Sequence, residues 1–316
     1  MVSAISVFFS AAIISLLFTF PVVWLLSIFK LGQPVREEVP PSHKAKAGTP
    51  TMGGIGFVIT ILVLALILID VDLRPEYLGL IFLTLAFAVI GLADDLLKLL
   101  RRQNLGLTFW QKLLLQILVA GAFAVFLVLR GHNFTVSGFL ANLLFNNPYL
   151  YQFLVIFWIV GFANATNLTD GLNGLLAGTA GVAFLFLAVF ANRLHFTEAT
   201  TFALICSGAV FAFLYFNFPR AKVFMGDVGS LALGAALAGL AVILHKELRL
   251  IIFGGIFVIE ALSVILQVTF YKLFKRRLFP MTPLHHSFEL LGIKEPVIVI
   301  GFWVAGLVLG VVGVWI

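Results

Sequence analysis

Phe216-Asn217-Phe218-Pro219-Arg220-Ala221-Lys222-Val223-Phe224-Met225-Gly226-Asp227-Val228-Gly229-Ser230 sets a polar segment between two apolar runs, residues 199–216 and 228–245. Each run is close to the ~20 residues that cross a bilayer as a helix. Two more polar islands have the same character, Ala93-Asp94-Asp95 and Asn164-Ala165-Thr166-Asn167-Leu168-Thr169-Asp170-Gly171. Carboxylates are costly at membrane depth and persist there where they serve a purpose. Islands of this kind on one side of a membrane point to an enzyme at the lipid–water boundary.

Composition agrees with the setting. The chain has 316 residues, of which 62% are hydrophobic and 11% charged, and its mean hydropathy is +1.14. Soluble domains carry roughly 25% charged residues, so this is an integral membrane protein. Apolar stretches run near 3–29, 52–70, 77–97, 112–130, 149–165, 172–191, 199–216, 228–245, 249–271 and 296–316. Continuous apolar runs exclude the alternating pattern of a barrel. The expected fold is all-α: a polytopic bundle of about ten transmembrane helices in a single domain, 1–316. The first stretch lacks a basic n-region and is too long for a signal-peptide core, so it is expected to be a retained helix. Cys206 is the one cysteine, which excludes an intramolecular disulfide.

With ten spans, alternate loops fall into two groups. One holds Lys30, Arg36, Lys44, Lys46, Lys98, Arg101, Arg102, Lys112, Arg220, Lys222, Lys272, Lys275, Arg276, Arg277 and Lys294, which is 15 of the 20 Lys and Arg. The positive-inside rule puts that group in the cytoplasm and both termini outside. Every carboxylate island then faces the cytoplasm. Some of these cations serve topology alone or hold anionic lipid or a polyanionic substrate.

Asp94 and Asp95 fall at the C-terminal end of the third span, where the helix dipole disfavours carboxylates. A cation should compensate, either Lys98 one turn on or a divalent metal. Asp227 and Asp170 each precede an apolar helix and read as helix N-caps or as ligands of a phosphate-bound ion. Mg²⁺ prefers hard oxygen donors, one or two carboxylates completed by substrate phosphates. No Cys/His set has zinc spacing, and no Walker or dinucleotide glycine fingerprint is present. The loop Ser42-His43-Lys44-Ala45-Lys46-Ala47-Gly48-Thr49-Pro50-Thr51-Met52-Gly53-Gly54 has glycines, hydroxyls and lysines suited to a diphosphate. Pro280-Met281-Thr282-Pro283-Leu284-His285-His286-Ser287-Phe288-Glu289 places a His pair in a proline-bounded loop on the same face. Glu260, mid-span, is expected to be a neutral acid hydrogen-bonded to Ser263 or Gln267.

These stretches together resemble one family. G-T-P-T-M-G-G, A-D-D-L-L-K, N-A-T-N-L-T-D-G-L-N-G, F-N-F-P-R-A-K-V-F-M-G-D-V-G-S and P-L-H-H-S-F-E, in this order, look like the phospho-N-acetylmuramoyl-pentapeptide-transferases. The resemblance implies transfer of phospho-MurNAc-pentapeptide from UDP-MurNAc-pentapeptide to undecaprenyl phosphate, with Mg²⁺, releasing UMP and forming lipid I. It implies a bacterial cytoplasmic membrane location with the site facing the cytoplasm, membrane lipid but no nucleic acid as partner, and a homodimer as one assembly it allows. Residue by residue, Asp227 looks like the metal ligand, Asp94 like the acid that deprotonates the lipid phosphate, and Asp95 like its partner. Phe224 matches the aromatic that stacks on uracil, and Asn164, Asn167, Asp170, Asn173 and Asn217 join it in the substrate-binding set. Lys46, Thr51, Lys98 and Lys112 match polar groups around the pyrophosphate, and His285 and His286 match the histidine motif.

Two positions depart from the family pattern: Asn173 stands where most members carry Asp, and Ser287 where they carry a third His. Direct attack by the lipid phosphate and a covalent aspartyl intermediate are both open on the sequence. A sibling enzyme, a polyprenyl-phosphate N-acetylglucosaminyl-1-phosphate transferase, shares the Asp motifs, but the G-T-P-T-M-G-G and P-L-H-H loops favour the muramoyl branch. A transporter would place its ionisable groups at the midplane on broken helices; here the acids gather at one surface, Glu260 excepted.

Overall fold

The computed structural model describes residues 3–29, 48–101, 103, 105–132 and 148–316, and the regular structure in them is helical. The helices are α1 (Ala4–Ile28), α2 (Gly54–Leu68), α3 (Pro75–Arg101), α4 (Phe109–Leu129), α5 (Pro148–Thr169), α6 (Leu175–Arg193), α7 (Thr197–Asn217), α8 (Asp227–Ile243), α9 (Glu247–Phe253), α10 (Gly255–Phe274), α11 (Leu284–Leu290) and α12 (Glu295–Trp315). Eight of them are long and apolar enough to cross a membrane. The expected segments 52–70 and 228–245 are shorter helices, α2 with 15 residues and α8 with 17. The segment expected at 249–271 is two helices, α9 and α10, divided at Gly254. Gly254 lies so close to the Phe162 ring that a Cβ there would clash, so the chain turns against α5 at this point.

Local chemistry sets the helix ends that build the site. Pro75 and Glu76 open α3, and Lys98 and Arg101 close it, the charge order that the helix dipole favours. A complete capping box, Thr108 with Gln111, starts α4 and fixes the rotation that Lys112 inherits one residue later. Helix α8 reads Gly- and Ala-rich, and every residue from Val228 to Ile243 is buried. Its small side chains let α3 and α5 close on it from two sides. Gly91 shows how close: a Cβ there would run into the backbone carbonyl of Asp227. The first turn of α8 therefore touches the last turns of α3.

At the other end of the bundle, Arg193 and Arg249 donate to the carbonyls of Val314 and Gly313 at 3.2 and 3.1 Å. They satisfy the open last turn of α12 while lying over the rings of Trp315 and Phe190.

Candidate active site

The C-terminal ends of α3, α5 and α7 meet the N-terminal ends of α4 and α8 at one face, and they bring the three polar islands together. Asp94 and Asp95 are buried, and Asp227 is nearly so. Each offers an oxygen within 4.8 Å of the others, so the candidate ligand set is wider than Asp227 alone. Lys98 Nζ sits 2.6 Å from Asp94 Oδ2, 3.2 Å from Asp227 Oδ2 and 3.7 Å from Asp95 Oδ1. Lys112 Nζ is 2.6 Å from Asp227 Oδ2. Asn167 Nδ2 donates to Asp227 Oδ1 at 2.9 Å and to Ser230 Oγ at 2.9 Å. Two ammoniums thus offset the crowding of three carboxylates, whose hard oxygens fit a divalent cation such as Mg²⁺.

The expected N-caps are corrected. Gly226, with φ 78° and ψ 170°, is the N-cap of α8, and Asp227 is the first helical residue. Positive φ disfavours other residues at 226, and a Cβ there would press on Asp95 Oδ2. The carboxylate that meets the open end of α8 comes from across the bundle: Asp95 Oδ2 accepts the Val228 N–H at 3.2 Å. Asp94 Oδ1 accepts the Leu107 N–H at 2.8 Å, tying down the turn into α4. Asp170 lies in the turn after α5, while the N-cap of α6 is Gly174. Burial, reinforced by Asp227 and Asp95, pushes the Asp170 carboxyl well above the usual carboxylate range.

Beside the cluster is a cavity of about 230 Å³. Its walls include Thr51, Asn167, Asp170, Asn173, Asn217 and Phe224, with Asp227 at one edge. Phe224 is held there by backbone pairing: its N–H donates to Pro50 O at 2.8 Å and its carbonyl accepts from Gly53 N at 2.9 Å. That pairing joins the G-T-P-T-M-G-G segment to F-M-G-D, a union between residues far apart in the chain that no local pattern announces.

Other residues of the expected set do different work. The amide of Asn217 accepts from Gly174 N at 2.7 Å and donates to Val223 O at 3.0 Å, so it shapes the wall. Asn173 donates its side-chain N–H to Pro219 O at 3.2 Å, and Glu295 Oε1 accepts its backbone N–H at 2.8 Å. Asn164 is not on the cavity wall; its Nδ2 donates to Gln116 Oε1 at 2.7 Å, between α5 and α4. Lys46 lies outside the described residues.

The His pair sits on a short helix, α11, and not in an open loop. His286 Nδ1 is 2.7 Å from Glu289 Oε2. His285 is fully buried and faces Glu260, whose Oε2 is 3.2 Å from Nδ1. The partner of the Glu260 carboxyl is therefore His285: Ser263 bonds the Glu260 backbone carbonyl, and Gln267 holds the backbone at 278–279. Ser230, Glu295 and Gln116 escaped the sequence reading, because a lone polar residue at a helix start or within a span carries no local mark of its partner.

Residues 77–245 match the model of glycosyl transferase family 4, and residues 46–58 match phospho-N-acetylmuramoyl-pentapeptide-transferase signature 1. A protein of Shouchella clausii named phospho-N-acetylmuramoyl-pentapeptide-transferase is 44% identical over 311 residues, covering 98% of this chain and 94% of its own. Proteins of the same name from Bacillus subtilis and Staphylococcus epidermidis are each 44% identical, over 96% and 98% of this chain and 94% and 98% of theirs. The matched stretch runs from α3 to the end of α8 and so contains all three carboxylates. On this similarity, the chain belongs to the phospho-N-acetylmuramoyl-pentapeptide-transferase family.

Proposed function

We propose that this protein transfers phospho-MurNAc-pentapeptide from UDP-MurNAc-pentapeptide to undecaprenyl phosphate, releasing UMP and forming lipid I. The observation that carries the reading is the convergence of Asp94, Asp95 and Asp227 with Lys98 and Lys112 beside a polar cavity. Phosphoryl transfer asks mainly for positioning and charge neutralisation. In this reading Asp227, with Asp95 beside it, would hold Mg²⁺, which leaves Asp94 free to act as a base. The bound ion would neutralise diphosphate charge and polarise the phosphoryl oxygens.

The chain's own residues do the rest. Thr51, Asn167, Asp170 and Asn173 orient the nucleotide, and Phe224 offers its ring to the uracil. Lys98 and Lys112 release carboxylate oxygens as they turn to the incoming phosphates. Asp94 takes the proton of the lipid phosphate, whose oxygen attacks the phosphorus bearing the sugar, and UMP leaves. Direct displacement is favoured because Asp94 and Asp95 are buried and each accepts a backbone N–H, which suits a base and an orienting group better than a nucleophile.

The reading extends to placement. The chain forms one domain over 1–316 and spans a bacterial cytoplasmic membrane ten times, α2 and α8 included, with both termini outside and the site toward the cytoplasm. The bias of 15 among 20 basic residues supports that orientation, and cysteine-accessibility labelling at each loop tests it. A homodimer is carried in the same reading and is measured by light scattering of the detergent-solubilised particle. The deciding experiment for function incubates purified protein with undecaprenyl phosphate, Mg²⁺ and each UDP-sugar in turn. UMP release with UDP-MurNAc-pentapeptide and little with UDP-GlcNAc is expected; the reverse preference moves the protein to the sibling family.

A further inference from the structure

Glu260 on α10 and His285 on α11 are a second buried pair of titratable groups, apart from the carboxylate cluster. Glu260 Oε1 accepts the backbone N–H of His285 at 3.2 Å, and Glu260 Oε2 lies 3.2 Å from the ring Nδ1. One carboxyl therefore bonds the backbone and faces the ring of the same residue at ion-pair distance. The other ring nitrogen, Nε2, rests against Gly171, where any Cβ would collide with it. Gly171 and Asp170 belong to the cavity wall. The neighbouring His286 is held separately by Glu289, and its ring centroid is 4.2 Å from that of His285.

An acid in an apolar span calls for a reason. Helix packing alone would not need its carboxyl aimed at a ring nitrogen. A carboxylate beside Nδ1 selects the tautomer protonated there and leaves Nε2, buried against Gly171, as the acceptor, or as a donor once the ring is charged. Burial lowers the proton affinity of His285, and Glu260 restores part of it.

We propose that Glu260 is a positioning residue for the transfer reaction, holding the His285 ring so that Nε2 faces the 170–171 turn of the substrate cavity. The inference rests on the proposed function for its kinetic arm only. His285 is fully buried behind the cavity wall, so it would act through that wall: Nε2 backs Gly171 and sets the place of the Asp170–Gly171 turn, and α11 would hold the ring there only while Glu260 anchors it.

The test uses full-length protein carrying Glu260→Gln, His285→Ala, or both, with UMP release followed while each substrate is varied separately. Glu260→Gln should lower kcat by about 10–100-fold, the scale set by groups that orient metal-ligating histidines, with both KM values within about twofold. Added to His285→Ala it should cost little more, because the two residues act as one unit. The limb of the kcat–pH profile that vanishes in His285→Ala should move to lower pH in Glu260→Gln, since losing the negative partner lowers the imidazole pKa. A structural role alone would lower the melting temperature and leave kcat and that limb in place, and this result overturns the proposal, as do fully multiplicative losses in the double variant. Should Glu260→Gln fail to fold, Glu260→Asp carries the same comparison with a smaller expected loss. Nitrogen NMR of labelled histidine separates the two readings. If the wild type releases no UMP, the functional reading fails, while a His285 signal protonated at Nδ1 that changes in the Glu260 variant still supports the positioning role; an unchanged signal overturns it.

Discussion

Replacing Asp227 by Asn removes one negative charge at nearly constant shape. Its carboxylate meets Lys112 at 2.6 Å, Lys98 at 3.2 Å and Asn167 at 2.9 Å. At an effective dielectric near 20, two unit charges about 4 Å apart interact by about 4 kcal/mol. A divalent ion would feel twice that, but solvent and the remaining Asp94 and Asp95 take up part, so we assign about 4 kcal/mol to the lost ion affinity. That is about three decades, at about 1.4 kcal/mol each. Folding loses less. A first-turn acid is worth about 0.3–1 kcal/mol to its helix, and hydrogen bonds to charged groups about 1.5–3 kcal/mol. The freed lysines re-pair with Asp94 and Asp95, which leaves a net loss of roughly 2 kcal/mol, small enough for the fold to persist. Asn at 227 need not serve as a cap, because Gly226 holds that position. UMP release at limiting Mg²⁺ should fall by about a thousandfold and recover in part as Mg²⁺ is raised, while thermal unfolding in detergent shifts by a few degrees. Near-normal turnover across the whole Mg²⁺ range would refute the assignment.

Gly91→Ala should destabilise the protein by about 1–3 kcal/mol through overpacking and lower kcat as well, because the added methyl pushes α3, with Asp94 and Asp95, away from the Asp227 backbone; a denaturation curve and the UMP assay check both, and an unchanged kcat would contradict the close-contact argument. Asn173→Ala should raise KM for the UDP-sugar about tenfold, the equivalent of roughly 1.4 kcal/mol, with KM for undecaprenyl phosphate unmoved and Asn173→Asp active; an unchanged nucleotide KM would reduce Asn173 to a brace for the α6 start. Asn164→Ala should leave both KM values alone and cost about 1–2 kcal/mol of stability, since its amide bonds Gln116 between helices; a selective rise in nucleotide KM would return it to the binding set.

What was legible in the sequence was whatever apolar surroundings made conspicuous. Asp94, Asp95, Asp170 and Asp227 stood out as carboxylates amid hydrophobic runs, and eight membrane-length helices followed from run length. Partnership was not legible. Glu260 and His285 are separated by a helix end and a loop, and no periodicity relates them. Asn217 and Asn164 look like binding residues because amides can bind anything; only their neighbours reveal that their hydrogen bonds belong to the scaffold. The caps failed for a backbone reason: Gly226 and Gly174, both at positive φ, take the cap positions, one residue before Asp227 in α8 and four residues after Asp170 in α6. The break at Gly254 was hidden because glycine is common in membrane helices, where it serves close packing as often as turning.

The enclosure of α8 has a mechanical consequence. At 17 residues it is about 25 Å long, shorter than the ~30 Å hydrocarbon core. A lipid-facing helix of that length would thin the bilayer or recruit snorkelling side chains to make up the difference. From Val228 to Ile243, α8 touches protein alone, so no lipid registers its shortness. The depth of Asp227 is set by the surrounding helices, and changes in bilayer thickness reach it only through the outer ones. Thickness variation between membranes is thereby damped before it arrives at the carboxylates, and the reacting geometry keeps its alignment while the lipid-exposed shell adjusts around it.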